Sequence, residues 1–288
     1  MASLESAKPR RSWLLVVTMD DRRVDRAIES AADVLMLDLQ DAVTADLKVA
    51  ARERVVDWFQ RGKPFGDKLV FVRSNNLFTP WGREDIAALA QLPVPGIVYP
   101  MARSAEELRV VHEMLVAAGS NAEIIAILET PQSILRLEDI ARVKGVTTLL
   151  HGPGDLSVET GIAVTDTGET FRTTATLTVL VARAYGLWAI NGTHVASIRD
   201  AELVRRYQIN HRQLGFDGGT SYYLPHIAII NECFSPTAEE VDRARALVEA
   251  YEQNRASGRA ALILNGEVVM VHQYEKAKRI LRQAAVAV

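Results

Sequence analysis

Two carboxylates, Glu129 and Asp155, each follow an apolar run in the sequence. Glu129 ends "EIIAILE" at 123–129, and Asp155 follows "VTTLLHG" at 146–152 after a glycine-rich turn. Mg²⁺ takes oxygen ligands and keeps several waters that a substrate can displace. We therefore predict that Glu129 and Asp155 bind Mg²⁺, with Mn²⁺ as an alternative ion. The other interpretation is that Asp155 only caps a helix and that Glu129 is a solvated strand end.

Three further charged side chains lie at the ends of apolar runs. Arg73 ends "KLVFVR", and Asp38 and Asp41 lie in "LDLQDAV". A guanidinium is a planar, permanently charged fork that suits a carboxylate or enolate oxygen, so Arg73 is a candidate for substrate binding and catalysis. The alternative is that Arg73 only neutralises the two aspartates. The backbone N–H groups of Gly154 and Asp155, near a helix start, would hold a substrate carboxylate.

Short aliphatic runs alternate with longer segments of helical period, which is typical of a parallel sheet with helical crossovers. The predicted strands are 12–17, 33–39, 68–73, 96–100, 123–129, 146–152, 187–192 and 215–222. The predicted helices between them are 22–31, 45–60, 82–91, 104–118, 131–142, 167–185 and 197–213. Strands this apolar favour a (β/α)₈ TIM barrel, with a doubly wound open sheet as the alternative. In a barrel, the strand ends that carry the charged groups converge at one mouth.

The pattern changes after "NECFSP", which predicts two parts. Residues 1–235 would form the barrel, with the active site at the C-terminal strand ends. Residues 236–288 would form a C-terminal extension of a helix at 237–252, two short strands around Asn265 and Gly266, and a final helix at 273–284. This extension would pack on the barrel or on a neighbouring subunit, and the second option implies an oligomer.

Composition limits the classes of function. The 288 residues are 48% hydrophobic and 24% charged, with a net charge of −3 and no basic stripe, which argues against a nucleic-acid partner. We see no apolar run long enough to span a membrane and no secretory signal, so we expect a cytoplasmic protein with a small-molecule partner. The single cysteine, Cys233, lacks a neighbouring base and is a poor candidate nucleophile.

Several ordered motifs resemble those of one family. The segments "LMLDLQDAVTADLKVAAR", "VFVRSNNLFTPWGREDI", "AILETPQSI", "GPGDLS" and "NECFSPTAEEVDRARALVEA" are similar to the citrate lyase β-subunit group of the HpcH/HpaI aldolase superfamily. The resemblance implies a Mg²⁺-dependent (β/α)₈ barrel that assembles as a homotrimer or hexamer. It also implies metal ligation by Glu129 and Asp155, polarisation of a keto or enolate oxygen by Arg73, and a site-organising role for Asp41. The implied chemistry is reversible carbon–carbon cleavage of a 2-oxo or 2-hydroxy acid, which gives a 2-oxo acid or glyoxylate.

Departures from the family pattern affect the second substrate. Gln40 stands where relatives carry a glutamate, Met101 where they carry a lysine, and Met270 where they carry a tail aspartate that acts on a thioester. We therefore expect a free 2-oxo or 2-hydroxy acid in preference to an acyl-CoA. The alternatives are an acyl-CoA lyase of the malyl-CoA or citramalyl-CoA type and a non-catalytic paralogue that binds the metal and a 2-oxo acid.

A general base is not evident in the sequence. His151, His194, His226 and His272 are candidates. We expect His194 and His272 to lie nearest the barrel mouth.

Overall fold

A computed structural model describes residues 8–63, 65–66, 68–257, 262–264 and 267–286. Eight parallel strands close into a barrel in sequence order, because β1 pairs with both β2 and β8. The strands are β1 (Ser12–Val17), β2 (Val34–Asp38), β3 (Leu69–Arg73), β4 (Gly96–Tyr99), β5 (Glu123–Leu128), β6 (Val146–His151), β7 (Trp188–Gly192) and β8 (Gly218–Ser221). The predicted (β/α)₈ barrel is confirmed, and the open sheet is excluded.

Helices connect the strands around the outside of the barrel. They are α1 (Asp21–Glu29), α2 (Lys48–Arg61), α3 (Gly82–Leu89), α4 (Ala105–Ala117), α5 (Pro131–Leu135), α6 (Leu137–Ala141), α7 (Pro153–Thr160), α8 (Arg172–Ala184), α9 (Ala201–Leu214) and α10 (His226–Phe234), with 3₁₀ turns at Ala45–Leu47 and Glu169–Phe171. The single helix predicted over 131–142 is wrong, because Arg136 leaves the helical region (φ −117°, ψ 22°) and separates α5 from α6. The sequence patterns did not predict the full extent of α7 or the presence of α10.

The barrel interior is filled by a compact apolar cluster. Trp13 and Phe71 form its aromatic centre, with ring centroids 5.1 Å apart. The other members are Val34, Met36, Val98, Ile125, Ile127, Leu150 and Ile190. Because these side chains pack the interior, the reactive groups lie only above this layer, at the ends of the strands.

The opposite end of the barrel is closed by Arg10. This side chain is 6% exposed, and its guanidinium makes paired hydrogen bonds to Glu123 at the start of β5, of 2.7 and 2.8 Å. The same guanidinium lies over the rings of Phe71 and Trp188. A buried, bidentate ion pair of this kind fixes the starts of several strands relative to one another.

Residues Arg10–Phe234 form one compact unit, and the residues from Ser235 onwards belong to a second. The second unit contains α11 (Ala238–Ala256), an antiparallel pair of β9 (Leu262–Leu264) and β10 (Glu267–Val269), and α12 (Val271–Val286). Tyr251 and Tyr274 stack between its two helices, with centroids 4.4 Å apart. The predicted turn residues Asn265 and Gly266 lie outside the described residues. Packing of this extension on the barrel or on a neighbouring subunit stays a prediction.

Within the described residues, none of the helices combines the length and the apolar character that crossing a membrane requires.

Candidate active site

Asp38 and Arg73 form a buried ion pair at the mouth of the barrel. They are the last residues of β2 and β3 and are direct neighbours in the strand register. Nε and Nη2 of Arg73 donate to the two carboxylate oxygens of Asp38 at 2.7 and 2.8 Å. Asp38 also accepts the backbone N–H groups of Gln40 and Ala42. Arg73 therefore does neutralise Asp38, as the alternative interpretation of the sequence proposed, and the pairing also fixes the direction of its fork.

Both members of this pair are held in their charged forms. Burial opposes the charge on Asp38, but the adjacent Arg73 guanidinium outweighs burial and lowers the pKa of the carboxyl group. Burial likewise opposes the charge on Arg73, yet Asp38, Asp41 and Glu129 together raise its pKa. The remaining nitrogen, Nη1, lies 3.2 Å from the largely exposed Asp41 carboxylate. Arg73 thus supplies a fixed positive charge close to three carboxylates.

A buried lysine supports the loops that carry this pair. Nζ of Lys48 donates to the backbone carbonyls of Leu39 and Gln40 at 3.0 and 2.6 Å and to Oδ1 of Asn75 at 2.9 Å. Asn75 in turn donates to Oδ2 of Asp85 at 2.7 Å. We did not predict this network, because its members are spread over three sequence segments. The only signal available was the position of Lys48 within the motif after β2.

Glu129 directly follows β5 and is 4% exposed. Its Oε1 accepts the backbone N–H of Met101 at 2.6 Å. On the other side Gly152 lies so close that a Cβ there would be 2.8 Å from Cβ and 3.0 Å from Oε2 of Glu129. Burial raises the pKa of Glu129 to about 8, with a further contribution from the Asp155 carboxylate and opposition from Met101 N–H and Arg73. The carboxylate is tightly confined, and the nearby charge of Arg73 does not offset its burial.

Asp155 lies in the first turn of α7, which begins after Gly152 with Pro153 at its first position. Its side chain is exposed and close enough to Glu129 and Asp41 to raise the pKa of each. Gly154 and Asp155 both occupy first-turn positions, where backbone N–H groups have no partner within the helix. The structure therefore places Glu129, Asp155, Arg73 and Asp41 in one cluster at the mouth.

This cluster suits a hard divalent cation. Within the described chain, the structure contains no group of three or more His, Cys, Asp or Glu side chains arranged as a metal site. Two carboxylates with water completing the coordination is the usual arrangement for Mg²⁺, whereas structural zinc uses four protein ligands. A cation beside Glu129 would add to the charge of Arg73, which alone does not offset the burial of this carboxylate. The residues present fit the ion.

The four candidate histidines have different surroundings. His151 is fully buried, bonded to Asn191 and Thr174, and burial lowers its pKa to about 4. His226 is buried between Ser221 and the carbonyl of Ile198. His272 lies on α12, in the second unit. These contacts give His151 and His226 structural roles.

His194 is the candidate that lies beside the cluster. It is exposed, and its Nδ1 is 3.3 Å from the position a Cβ on Gly154 would occupy. The hydroxyl of Tyr207 holds the start of this loop, since it donates to the carbonyl of Gly192 at 3.0 Å and accepts from Nδ2 of Asn191 at 3.3 Å. The expected position of His194 at the mouth agrees with this geometry.

Comparison with known proteins identifies the family. Residues 11–222 match HpcH/HpaI aldolase/citrate lyase, which is most of the chain. The chain belongs to the HpcH/HpaI aldolase/citrate lyase family. This is a family of carbon–carbon lyases, so the predicted class of enzyme is confirmed. The resemblance to the citrate lyase β-subunit group is also confirmed, by a citrate lyase subunit beta-like protein of Deinococcus radiodurans that is 30% identical over 89% of this chain and 90% of that protein.

Other members of the HpcH/HpaI family are named for thioesters. A (3S)-malyl-CoA thioesterase of Cereibacter sphaeroides is 30% identical over 96% of this chain and 95% of its own length. An L-malyl-CoA/beta-methylmalyl-CoA lyase of Rhodobacter capsulatus is 25% identical over 91% of each chain. The structure of CitE from Mycobacterium tuberculosis in complex with magnesium, acetoacetate and coenzyme A is 25% identical, with a TM-score of 0.78 over 98% of this chain and 100% of that chain.

Proposed function

We propose that this protein is a Mg²⁺-dependent carbon–carbon lyase. Its substrate is a 2-hydroxy acid of the malyl-CoA type, whose distal carboxyl group forms a thioester with coenzyme A. The observation that carries the proposal is the buried Glu129 carboxylate beside Asp155 at the barrel mouth, where the charge of Arg73 does not offset burial and the Asp155 charge. The identity with proteins named for malyl-CoA supports the thioester. Those names outweigh the free-acid expectation that we drew from Met101 and Met270.

Glu129 and Asp155 would hold the ion, and Mn²⁺ would serve the same oxygen ligands. When bound, Mg²⁺ supplies positive charge to the substrate oxygens at the bond that breaks. Arg73, oriented by Asp38, places its guanidinium beside the same oxygens and stabilises negative charge that develops there. Asp41 keeps Arg73 in place from the solvent side. The first-turn N–H groups of Gly154 and Asp155 bind the free carboxylate of the substrate.

The bond that breaks joins the hydroxyl-bearing carbon to the methylene next to the thioester. Its cleavage leaves a 2-oxo acid, glyoxylate in the simplest case, and a shorter acyl-CoA. The hydroxyl proton must leave as the carbonyl forms, and a proton must be returned to the new methyl group. His194 lies beside Gly154 and is our candidate for one of these transfers.

The assay is incubation of the protein and Mg²⁺ with malyl-CoA, citramalyl-CoA and free 4-hydroxy-2-oxo acids. Glyoxylate or pyruvate together with an acyl-CoA indicates the lyase. Free CoA with malate indicates a thioester hydrolase, the second candidate, which is favoured by the name of the 30% identical relative. Cleavage of free acids alone would overturn the thioester part of the proposal. Mg²⁺ binding without turnover on any substrate would indicate a binding paralogue.

Metal binding is tested separately by calorimetry. We expect Glu129→Gln and Asp155→Asn each to abolish measurable Mg²⁺ binding while the circular dichroism spectrum stays that of the wild type. Glu113→Gln, at an exposed position on α4, is the matched control. Unchanged Mg²⁺ affinity in both site variants would show that the metal assignment is wrong. Light scattering on the same samples tests the homotrimer or hexamer that we propose for solution.

A further inference from the structure

The turn after β4 contains a strained residue. Met101 has φ 51° and is the only non-glycine residue with a positive φ in the part of the chain that the structure describes. For a residue with a side chain this conformation costs about 1–2 kcal/mol. Such strain persists only where the surrounding contacts impose it, and it is concentrated at functional sites.

The contacts that impose this conformation come from two adjacent residues after β5. The N–H of Met101 donates to Oε1 of Glu129 at 2.6 Å, and the carbonyl of the next residue, Ala102, accepts from Oγ1 of Thr130 at 3.1 Å. Because the Met101 N–H is bonded to Glu129, the φ angle of Met101 determines where the next part of the chain, including the Ala102 carbonyl, lies. A relaxed, negative φ would break one of the two contacts.

Thr130 is itself held firmly. It is fully buried, and its Oγ1 accepts the backbone N–H of Ser133 at 3.0 Å, while Oγ of Ser133 donates to the carbonyl of Thr130 at 2.7 Å. Thr130 is the N-cap of α5, so the helix fixes the hydroxyl that donates to the Ala102 carbonyl. One end of the turn is therefore attached to a rigid element, and the other end is attached to Glu129.

We propose that Met101 and Thr130 are positioning residues that set the orientation of the Glu129 carboxylate for the ion. Oε1 is occupied by the Met101 N–H, and Oε2 lies against the bare Cα of Gly152. The carboxylate has little freedom to rotate between these two contacts. The inference rests on the proposed role of Glu129 as a metal ligand. Partners of this kind, which hold a ligand without touching the ion, typically change metal affinity 10–100-fold when removed.

The first test compares Thr130→Val with Thr130→Ser. Valine has nearly the shape of threonine but cannot bond the Ala102 carbonyl, whereas serine keeps the hydroxyl. We expect Mg²⁺ affinity to fall at least about tenfold in Thr130→Val and to stay near that of the wild type in Thr130→Ser. Thr237→Val is the matched control, because Thr237 is also an N-cap with a capping box, at the start of α11. That variant should lose stability and keep its affinity for Mg²⁺.

The second test changes the strained residue. Glycine adopts a positive φ without penalty and keeps the N–H, so Met101→Gly should retain Mg²⁺ affinity within about twofold. A β-branched residue strongly disfavours this region, so Met101→Val should lose affinity at least about tenfold. If Thr130→Val and Met101→Val both bind Mg²⁺ like the wild type, the inference is overturned.

Crystal structures of Thr130→Val and Thr130→Ser give a measurement that does not depend on the ion. We expect Glu129 Oε1 to move out of hydrogen-bond distance of the Met101 nitrogen in the valine variant and to stay within it in the serine variant. A wild-type protein that does not bind Mg²⁺ would contradict the proposed function. An unmoved Glu129 in the valine variant would contradict the positioning role, whatever the titration shows.

Discussion

Replacement of Glu129 by glutamine should make the metal-free protein more stable at neutral pH. Burial raises the pKa of Glu129 to about 8, above the value of 4.5 that an ordinary glutamate has. Between these two pH values the folded state binds the proton more tightly than the unfolded state. Stability is therefore lost as pH rises from 4.5 to about 8 and is constant above that range. Glutamine does not ionise and has no such loss.

The size of the effect follows from the same pKa. From pH 4.5 to pH 7 is 2.5 units, and at about 1.4 kcal/mol per unit the folded state loses roughly 3 to 4 kcal/mol of stability at pH 7, because the unfolded chain ionises there while buried Glu129 keeps its proton. For a domain of this size we expect Glu129→Gln to raise the unfolding temperature by roughly 10 °C at pH 7 in EDTA, and by little near pH 5. Glutamine keeps an oxygen for the Met101 N–H, so that hydrogen bond remains.

The assay is thermal unfolding from pH 5 to 9, in EDTA and then in excess Mg²⁺. Mg²⁺ should raise the unfolding temperature of the wild type and leave that of Glu129→Gln unchanged, because the variant lacks the ligand. Glu113→Gln, exposed on α4, should behave like the wild type throughout. A wild-type profile that is flat between pH 5 and 8 in EDTA, or a variant less stable than the wild type at pH 7, would refute the reasoning.

Three further variants separate the role of the site from that of the opposite end of the barrel, which Arg10 closes. Arg73→Lys keeps the charge but loses the paired hydrogen bonds to Asp38. We therefore expect kcat/KM to fall roughly tenfold to a hundredfold, while calorimetry shows nearly unchanged Mg²⁺ affinity. Equal loss of activity and of Mg²⁺ affinity would indicate a structural role. Gly152→Ala would place a Cβ 2.8 Å from Cβ of Glu129, so calorimetry should show Mg²⁺ affinity reduced about tenfold or more. Arg10→Ala leaves a partly buried carboxylate unpaired, and urea unfolding should show a loss of about 3 kcal/mol with Mg²⁺ affinity unchanged.

The barrel could be predicted from the sequence because its strands are short, apolar and bounded by charged or glycine-rich segments. Seven of the eight predicted strands lie within one residue of the observed bounds at both ends, and β8, which contains two glycines, is the exception. Placement of Glu129, Arg73 and Asp38 at strand ends followed from the same pattern, since parallel strands in a barrel end at one mouth.

Contacts between distant segments could not be predicted in this way. The Asp38–Arg73 pair depends on side-chain rotamers 35 positions apart in the sequence, and Lys48 reaches Asn75 across 27 positions. The segment "YPMAR" contains no glycine that would suggest the positive φ of Met101. This conformation is imposed by contacts with residues 28 positions away, such as Glu129. Local propensity carries no information about such contacts, so these features required the structure.

The close approach of Gly152 to Glu129 offers a criterion for sorting uncharacterised homologues by sequence. A chain that retains the glutamate but carries any larger residue at the position of Gly152 would have to displace the carboxylate, because the added Cβ has no space. A screen for glutamate alone would count such a chain as metal-competent. Screening for the glutamate and the glycine together should select the chains that keep the site. It should also identify chains that keep the glutamate but have lost the glycine, and we expect these not to bind the metal ion.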